Sequence, residues 1–422
     1  MTKEKFVESD FLDAMTKQYF GRVPLPRGDT PHLHHLIPFD EAFPFSLLIS
    51  LGIQLSIEKC RVYADYRKEI PLCTDDCGEE IITRLPIAKL SKDTPTTPPC
   101  FKALAPLVFR EIRKHYNIDD EDFLLSLGIE TMLYQLLFCG ELNSYRSVSS
   151  HGRSGSVFYY SYDSQYMVKT IKPPEAFTLI KNLYMYYTHI TTKNSYLVPL
   201  LGLYYIEDGT RAEYICVMKN LFTSPNAVHE IFDLKGSKLD RSTKSENRKP
   251  GVPLKDLDLG TRVFPLPTNV LAQIKSQMDS DVFFLSQVML TMDYSFLVGI
   301  HYVDKNTVLP AEPTSTITST KRISQSQYAS TTTTTTKTLL KRLSTVSHSQ
   351  HSEPEKPPEG YLSIDKQIVY QFGIIDYLVE YDSYKQVETM VKRTRANRED
   401  ISSVSPSEYS SRFVSYLDSK FW

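Results

Sequence analysis

VFYYSYDSQYMVKTIKPPEAFTLIKNLYMYY, from Val157 to Tyr187, carries the pattern from which the fold class follows. Aromatic and β-branched residues fill Val157 to Tyr160 and Tyr166 to Ile171, and the turn Asp163-Ser164 separates the two runs, which predicts a β-hairpin. Apolar residues then recur at helical spacing, namely Ala176, Leu179, Ile180, Leu183 and Tyr187. A hairpin followed by an amphipathic helix predicts a sheet with a helix packed on it.

The flanking segments extend this pattern into two lobes. Leu203 to Ile206 and Tyr214 to Met218 predict a second hairpin around Asp208-Gly209. Farther along, an apolar stripe predicts a long helix that opens a second lobe, and its members are Val270, Ile274, Met278, Phe284 and Val288. The prediction is therefore an α+β fold of antiparallel sheets with packed helices, in lobes of about 101–225 and about 226–422.

The segment before this region also has a helical pattern. Leu104, Val108 and Ile112 recur at four-residue spacing, so Phe101 to Tyr116 is predicted to be helical. The acidic run Asp119 to Asp122 predicts the start of another helix. Residues 1–100 give no such pattern and form a divergent N-terminal region.

Length and composition exclude several classes of protein. A chain of 422 residues holds one large or two ordinary domains and folds without crosslinks. The formal net charge of −2 argues against a nucleic-acid partner. Six cysteines at irregular spacing predict reduced thiols in a cytoplasmic protein. The most apolar window, Phe43 to Ile53, is too short to span a bilayer, so we expect peripheral contact at the cytosolic face of membranes.

One segment, Thr307 to Glu359, has a composition that cannot bury a core. Threonine, serine, proline and lysine dominate it, including the run Thr331 to Thr336, which predicts a disordered insert within the second lobe. Ser324 and Ser344 follow basic residues, which suits either phosphorylation or a solvated linker.

Phosphoryl transfer requires backbone amides over the phosphates, a lysine to neutralise them, carboxylates for magnesium, and an acid or base near the acceptor. The loop Gly152-Arg153-Ser154-Gly155-Ser156 lets the backbone approach a phosphate, or forms only a tight turn. Lys169 ends a predicted strand, where it could reach the phosphates or remain solvated. Glu175, at the head of the next helix, is a candidate partner for that lysine.

Charged residues in apolar surroundings supply the remaining groups. Asp293 and Asp376 each lie among apolar residues, where a charge is costly unless it is paired or binds a metal. They fit a magnesium and base pair, although hydrogen-bonded structural aspartates would give the same pattern. Asp233, Lys235 and Arg241 surround a glycine and could meet a phosphorylated substrate or form a plain charged loop.

Taken in this order, these stretches resemble the phosphatidylinositol phosphate kinase family. DLKGS at Asp233 to Ser237, MDYSFLVGIH at Met292 to His301 and GIID at Gly373 to Asp376 match the hallmark strings of that family. FKALAPLVFREIRKHYNIDDEDF, from Phe101 to Phe123, is similar to the first helix of these kinases. The position of the insert, between MDYS and GIID, is also typical of them. The resemblance implies a two-lobed lipid-kinase fold, distantly similar to protein kinases.

The resemblance implies roles for the ATP side of the site. The glycine loop Gly152 to Ser156 would cover the ATP phosphates, and Lys169 would bind them. Asp376 would hold Mg²⁺, and Asp293 would be the catalytic acidic residue near the acceptor hydroxyl. Protein kinases carry H-R-D and D-F-G motifs instead, which argues against a protein substrate.

The resemblance also implies a substrate side. Asp233, Lys235 and Arg241 would belong to it, with Arg241 meeting the phosphate already on the inositol ring. The family divides by the residue that aligns with Glu388. With a glutamate at this position, the chain resembles the enzymes that act on phosphatidylinositol 4-phosphate at the 5-hydroxyl. The 4-kinases that use phosphatidylinositol 5-phosphate carry alanine at the same position.

The segment after Glu388 gives mixed indications. Lys392 and Arg393 begin a basic run that could contact anionic headgroups or remain solvated. Thr389 replaces the histidine common in the 4-phosphate enzymes, and the tail from Ile401 to Phe413 is similar to the 4-kinase and 3-phosphate 5-kinase groups.

The leading interpretation is a phosphatidylinositol 4-phosphate 5-kinase that uses ATP and Mg²⁺ on a phosphoinositide in an anionic membrane surface. A phosphatidylinositol 5-phosphate 4-kinase, a 3-phosphate 5-kinase and a non-catalytic phosphoinositide-binding scaffold remain the alternatives. Family members often dimerise through the N-terminal region, which leaves a homodimer open.

Overall fold

Two β-sheets, each packed with helices, make up the folded chain. The computed structural model describes residues 33–36, 40, 42–67, 71–85, 98–134, 136–137, 144–148, 156–209, 211–224, 226–249, 251–304, 360–393 and 401–421. The predicted insert 307–359 lies outside these residues.

The first sheet has eight strands, and each neighbouring pair is antiparallel. Its strands are β1 (Leu33–His35), β2 (Glu80–Arg84), β3 (Cys100–Leu104), β4 (Arg146–Val148), β5 (Phe158–Tyr160), β6 (Tyr166–Ile171), β7 (Leu200–Glu207) and β8 (Ala212–Lys219). The spatial order is β1-β4-β5-β6-β8-β7-β3-β2. Both predicted hairpins, β5–β6 and β7–β8, are present.

Helices pack against this sheet. They are α1 (Phe43–Tyr66), α2 (Pro106–His115), α3 (Asp120–Leu127), α4 (Ile129–Tyr134) and α5 (Pro173–Thr192). Helix α1 approaches β3 so closely that a Cβ on Gly52 would lie 2.2 Å from the Phe101 ring. Asp119 caps α3 by accepting a hydrogen bond from the Asp122 amide at 2.7 Å, as the acidic run predicts.

The prediction that Phe101 to Tyr116 is one helix is wrong in its first part. Residues 101–104 belong to β3, which pairs with β2 on one side and β7 on the other. Ala105 has a positive φ of 46°, which breaks the strand, and Pro106 then starts α2. The four-residue spacing of Leu104, Val108 and Ile112 arises because Leu104 is buried as a strand residue beside a buried helix.

The second sheet has five strands. They are β9 (Glu230–Leu234), β10 (Leu254–Lys255), β11 (Ser295–Tyr302), β12 (Tyr361–Leu362) and β13 (Ile368–Ile375). The order is β10-β9-β11-β13-β12, with β10 parallel to β9 and the other pairs antiparallel. The helices here are α6 (Asp256–Leu259), α7 (Thr268–Phe283), α8 (Ser383–Arg393) and α9 (Pro406–Phe421).

The predicted long helix and the fold class are confirmed. Helix α7 continues into a turn of π-helix from Phe284 to Val288, as the apolar stripe indicates. Sheets with packed helices give the predicted α+β class. In the described parts of the chain, no helix combines the length and apolar character needed to cross a bilayer.

The segment between α5 and β7 joins the two sheets. Ile374 of β13 donates its amide to Tyr196 O at 2.7 Å and accepts a hydrogen bond from Val198 N at 2.9 Å. One continuous hydrophobic core extends through both sheets. The end of β13 is therefore held directly against the first sheet.

Candidate active site

Strand register gathers several charged residues at one edge of the second sheet. The start of β11 lies opposite the end of β13, because Ser295 pairs with Ile375. Asp293, just before β11, and Asp376, just after β13, therefore lie at the same edge. The end of β9 also lies opposite the start of β11, which brings Lys235 to this edge.

Lys169 of the first sheet reaches this edge. Its Nζ lies 2.6 Å from Asp376 Oδ1. The lysine side chain is 9% exposed and the aspartate side chain 40% exposed, so the carboxylate remains accessible to an ion. The two residues are far apart in the sequence, and only the packing of the two sheets brings them together.

The protonation states of this pair follow from its charges. Burial alone would raise the pKa of Asp376, but the Lys169 ammonium outweighs it and holds the pKa below its usual range. Burial lowers the pKa of Lys169, and the Asp376 carboxylate more than offsets that effect. Both groups are therefore charged near neutral pH.

A second ion pair lies beside the first. Lys235 Nζ donates to Asp293 Oδ1 at 2.8 Å and to the Asp293 carbonyl at 2.6 Å. Burial opposes ionisation of Asp293, yet Lys235 lowers the pKa of that carboxyl below its usual value. The stabilisation from this pair is present above the unfolded pKa of aspartate and is lost as the pH falls through the lower folded pKa.

Both aspartates have backbone conformations that are unusual outside glycine. The φ angles are 63° at Asp293 and 58° at Asp376. The Tyr377 hydroxyl donates to Val198 O at 2.6 Å and lies 3.0 Å from the Tyr186 hydroxyl. These buried hydrogen bonds hold the residue after Asp376 in place and so compensate for the strain.

Asp256, which no pattern in the sequence indicates, orders the DLKGS loop. Its carboxylate accepts hydrogen bonds from the Lys235 amide at 2.9 Å, the Gly236 amide at 2.8 Å and Arg241 Nε at 2.6 Å. Because β10 is parallel to β9, Asp256 follows its strand at the same edge as Lys235. Its position after a two-residue strand gives no recognisable sequence signal.

Arg241 and Asp233 lie in the same network. Arg241 Nη2 contacts Asp233 Oδ1 at 2.9 Å, and the arginine side chain is only 10% exposed. Burial lowers the pKa of Arg241, and the two carboxylates of Asp233 and Asp256 raise it by more. The structure thus places Arg241 between two acids, so an incoming phosphate would have to compete with them.

Glu175 lines the same cavity as Lys169, and its charge helps to raise the pKa of Lys169, but the carboxylate in direct contact with the ammonium is that of Asp376. Glu175 Oε2 accepts a hydrogen bond from the Lys172 amide at 2.8 Å, which closes a capping box at the start of α5. The candidate partner for Lys169 suggested by the sequence therefore caps a helix, and Asp376 takes that place.

Glu388 lies in α8, and its Oε2 accepts from Lys385 Nζ at 2.7 Å. The Lys385 charge also contributes to the lowered pKa of Asp293. One lysine therefore connects the predicted selectivity residue with the predicted catalytic residue. Lys392 and Arg393 belong to the last turn of α8, and their side chains lie outside the described residues.

The glycine loop is only partly described. Gly152, Ser154 and Gly155 lie outside the described residues, whereas Ser156 is buried. The structure thus brings together these candidates: Lys169, Asp376, Asp293 and the residues of the DLKGS loop.

The carboxylates at this edge fit Mg²⁺ only as part of a shared site. Across the described segments, no cluster of three or more acidic, histidine or cysteine side chains could hold a metal ion. Asp376 offers an ionised and accessible carboxylate. Magnesium commonly binds through one or two carboxylates together with substrate phosphates, and Asp376 suits that mode.

Comparison with known proteins agrees with this geometry. The family model described as phosphatidylinositol-4-phosphate 5-kinase matches residues 139–420. Phosphatidylinositol 4-phosphate 5-kinase 6 of Arabidopsis thaliana is 33% identical, over 81% of this chain and 49% of the relative. Kinase 5 of the same series is 30% identical, over 99% of this chain and 55% of the relative.

A third Arabidopsis thaliana relative, phosphatidylinositol 4-phosphate 5-kinase 3, is 29% identical over 94% of this chain and 56% of its own length. The chain therefore spans about half the length of the curated relatives it matches. The match of the family model covers the whole second sheet and strands β4 to β8 of the first sheet, including every residue of the two ion pairs. The chain belongs to the phosphatidylinositol-4-phosphate 5-kinase family.

Proposed function

We propose that this chain transfers the γ-phosphate of ATP to the 5-hydroxyl of phosphatidylinositol 4-phosphate, giving phosphatidylinositol 4,5-bisphosphate. The observation that carries the proposal is the meeting of two ion pairs, Lys169 with Asp376 and Lys235 with Asp293, at one sheet edge. Phosphoryl transfer relies on positioned charges of this kind.

On the ATP side, the Lys169 ammonium binds the phosphates. It currently neutralises Asp376 at 2.6 Å, so an ATP phosphate takes the place of that carboxylate as its counter-ion. Asp376 is then free to hold Mg²⁺, which when bound neutralises charge on the transferring phosphoryl group.

On the acceptor side, Asp293 receives the proton of the inositol hydroxyl. Its lowered pKa keeps it ionised near neutral pH, which suits an acceptor of a proton. Lys235 holds the carboxylate in place by bonding both its Oδ1 and the carbonyl of the same residue. The side chain of Asp293 is 25% exposed, so a substrate hydroxyl can reach it.

Two observations support the choice of the 5-hydroxyl. Glu388 occupies the position that separates the 5-kinases from the 4-kinases by resemblance, and Lys385 ties it to the neighbourhood of Asp293. Two relatives that are 33% and 30% identical to this chain are named phosphatidylinositol 4-phosphate 5-kinases.

The substrate is a membrane lipid, so the reaction takes place at a bilayer surface. Val387 and Met390 of α8 are 58% and 65% exposed, and they lie one turn apart beside Glu388. We infer that this apolar pair enters the headgroup region while Glu388 meets the inositol ring.

The test is transfer of labelled phosphate from Mg·ATP to liposomes that carry phosphatidylinositol 3-, 4- or 5-phosphate in separate reactions. We expect label on the 4-phosphate lipid at the 5-position, with product isomers separated by chromatography. Asp376→Asn should lower turnover by about 10²-fold or more, because the metal loses its ionised carboxylate.

A matched control keeps the change of charge but moves it away from the site. Asp365 lies in the turn between β12 and β13, at the opposite end of the same strand, and Asp365→Asn should leave turnover unchanged. Label on the 5-phosphate lipid would instead make the chain a 4-kinase. Binding to liposomes without transfer of labelled phosphate to any lipid would favour a non-catalytic phosphoinositide-binding scaffold.

A further inference from the structure

A cavity lies behind the junction of the two sheets, away from the ion pairs. Its volume is about 280 Å³. The end of α2, the segment 193–199, the crossing after β8 and the strands β12 and β13 form its walls. Lys169, Lys235, Asp293 and Asp376 are not among the residues that line it.

The charges of this rear cavity, as we call it, have one sign. Lys193 and Lys219 line it, beside His115, whose pKa burial lowers below its usual value, and none of the described residues in its walls is an aspartate or glutamate. The buried carboxylate beneath Tyr196 is Asp281, which already accepts a hydrogen bond from the Tyr196 amide at 2.6 Å and lies 2.7 Å from His189 Nε2.

The apolar walls of the rear cavity are aromatic. Tyr116, Tyr196, Tyr361 and Phe372 line it, and the Tyr361 and Phe372 rings stack with centroids 4.9 Å apart. The hydroxyls of Tyr196 and Tyr361 lie 2.7 Å apart in a mutual hydrogen bond, so these rings are fixed in position. Ligand pockets commonly combine such rigid apolar walls with a few charged groups.

We propose that the rear cavity binds a small organic anion, consisting of one ring or a short apolar chain with a phosphate or carboxylate group. The volume lies just below the usual range of small-molecule sites, which is about 300–1,000 Å³, and this limits the apolar part to about one ring. Lys193 and Lys219 supply the positive charge, and the aromatic walls receive the ring.

An occupant of the rear cavity would contact both sheets at once. The segment from Tyr196 to Val198 forms one wall and also bonds to Ile374 through two backbone hydrogen bonds, of 2.7 and 2.9 Å. Val198 also lines the cavity that contains Lys169 and Asp376. Binding is thus expected to raise the thermal stability of the chain and to alter the KM for ATP.

The experiment titrates the full chain with phenyl phosphate as the probe. The ³¹P relaxation of the probe measures its binding. The cavity lined by Lys169 and Asp376 is here called the front cleft, and a saturating non-hydrolysable ATP analogue with Mg²⁺ occupies it throughout. We expect phenyl phosphate to bind under these conditions and to bind more tightly than inorganic phosphate. Benzylamine, which has the same ring and the opposite charge, should not bind.

Variants locate the site. Lys219→Gln and Lys193→Gln should each raise the Kd by about threefold to tenfold, the loss of one partly exposed charge contact. Lys114→Gln is the matched control, because Lys114 precedes His115 but pairs with Glu111 outside the cavity. Lys169→Met should leave the Kd unchanged, since that lysine belongs to the front cleft.

Three results would overturn the proposal. One is binding that disappears when the ATP analogue is present or when Lys169 is replaced, which would place the probe in the front cleft. Another is a Kd unaffected by both Lys219→Gln and Lys193→Gln in folded protein. A third is equal binding of benzylamine or inorganic phosphate. Each readout is binding, so the result is independent of the proposed kinase activity.

Discussion

Asp256 offers the sharpest test of how the site is held together, and Asp256→Asn is the change to make. The carboxylate accepts three hydrogen bonds, from the amides of Lys235 and Gly236 and from Arg241 Nε. An asparagine has nearly the same shape but only one accepting oxygen, so at least one of these donors faces an NH₂ group. Arg241 also loses one of its two acidic partners.

The size of the effect follows from these contacts. A buried donor left without an acceptor costs about 1–3 kcal/mol, and removal of one partner from a buried ion pair costs up to about 3–5 kcal/mol. Because Arg241 keeps Asp233 at 2.9 Å, we expect a loss near the lower end, about 2–4 kcal/mol. For a chain of this length, that lowers Tm by about 2–5 °C.

The functional effect should fall on the lipid and not on ATP. Asp256 fixes the backbone of Lys235, and Lys235 fixes Asp293, so the acceptor side loses its geometry. We expect turnover of lipid to fall about 10-fold to 100-fold, with little change in nucleotide affinity. Labelled-phosphate transfer measures lipid turnover, nucleotide titration measures nucleotide affinity, and thermal denaturation measures Tm.

A neighbour in the same helix supplies the control. Asp258 is equally buried and accepts from the Lys255 and Thr243 amides, but it makes no hydrogen bond to Lys235 or Gly236. Asp258→Asn should lower Tm without a separate loss of lipid turnover. If both variants lower turnover in proportion to stability, Asp256 has no specific part in positioning Lys235, and the reasoning fails.

Three further outcomes follow from the ion pairs and from α8. Lys169→Met should abolish turnover but should change the Tm without nucleotide only a little. The Asp376 carboxylate that loses its partner is 40% exposed and can be hydrated. Thermal denaturation measures this Tm. Lys235→Gln removes the charge that holds the pKa of Asp293 down, so burial raises that pKa and the acidic limb of the kcat/KM profile moves to higher pH. An acidic limb that stays in place would show that another group sets it. Glu388→Ala should raise labelling of the 5-phosphate lipid relative to the 4-phosphate lipid by about tenfold in the liposome assay, and an unchanged ratio would remove Glu388 from substrate selection.

Local patterns in the sequence predicted the elements whose neighbours are close in the chain. The hairpin β5–β6 and helix α5 follow from a turn and an apolar helical stripe within the 31 residues from Val157 to Tyr187, and both are present. The error at Phe101 has a physical cause, because β3 is a strand through its pairing with β2 and β7, about 20 and 100 residues away. Single-chain periodicity carries no information about such partners.

Charged residues were predictable by type but not by partner. The sequence identified Lys169 and Asp376, yet it suggested Glu175 as the partner of the lysine, and the structure uses Glu175 to cap α5. A glutamate three residues after the N-cap residue satisfies a capping box equally well, so local sequence cannot separate the two uses. Asp256 was missed because its role exists only through parallel pairing of a two-residue strand.

The second sheet explains how a site can tolerate a long insert between two of its members. Asp293 precedes β11 and Asp376 follows β13, and the chain between them includes the whole of the predicted insert. Antiparallel pairing returns the chain to the edge it left, because Ser295 pairs with Ile375 and the two strands stay in register as far as Tyr302 and Ile368. Residues added beyond Tyr302 extend the loop at the opposite edge and leave this pairing intact. The relative position of the two carboxylates is therefore set by β-sheet hydrogen bonds and is independent of the length of the insert. A longer insert adds little to the entropic cost of closing the loop between β11 and β13.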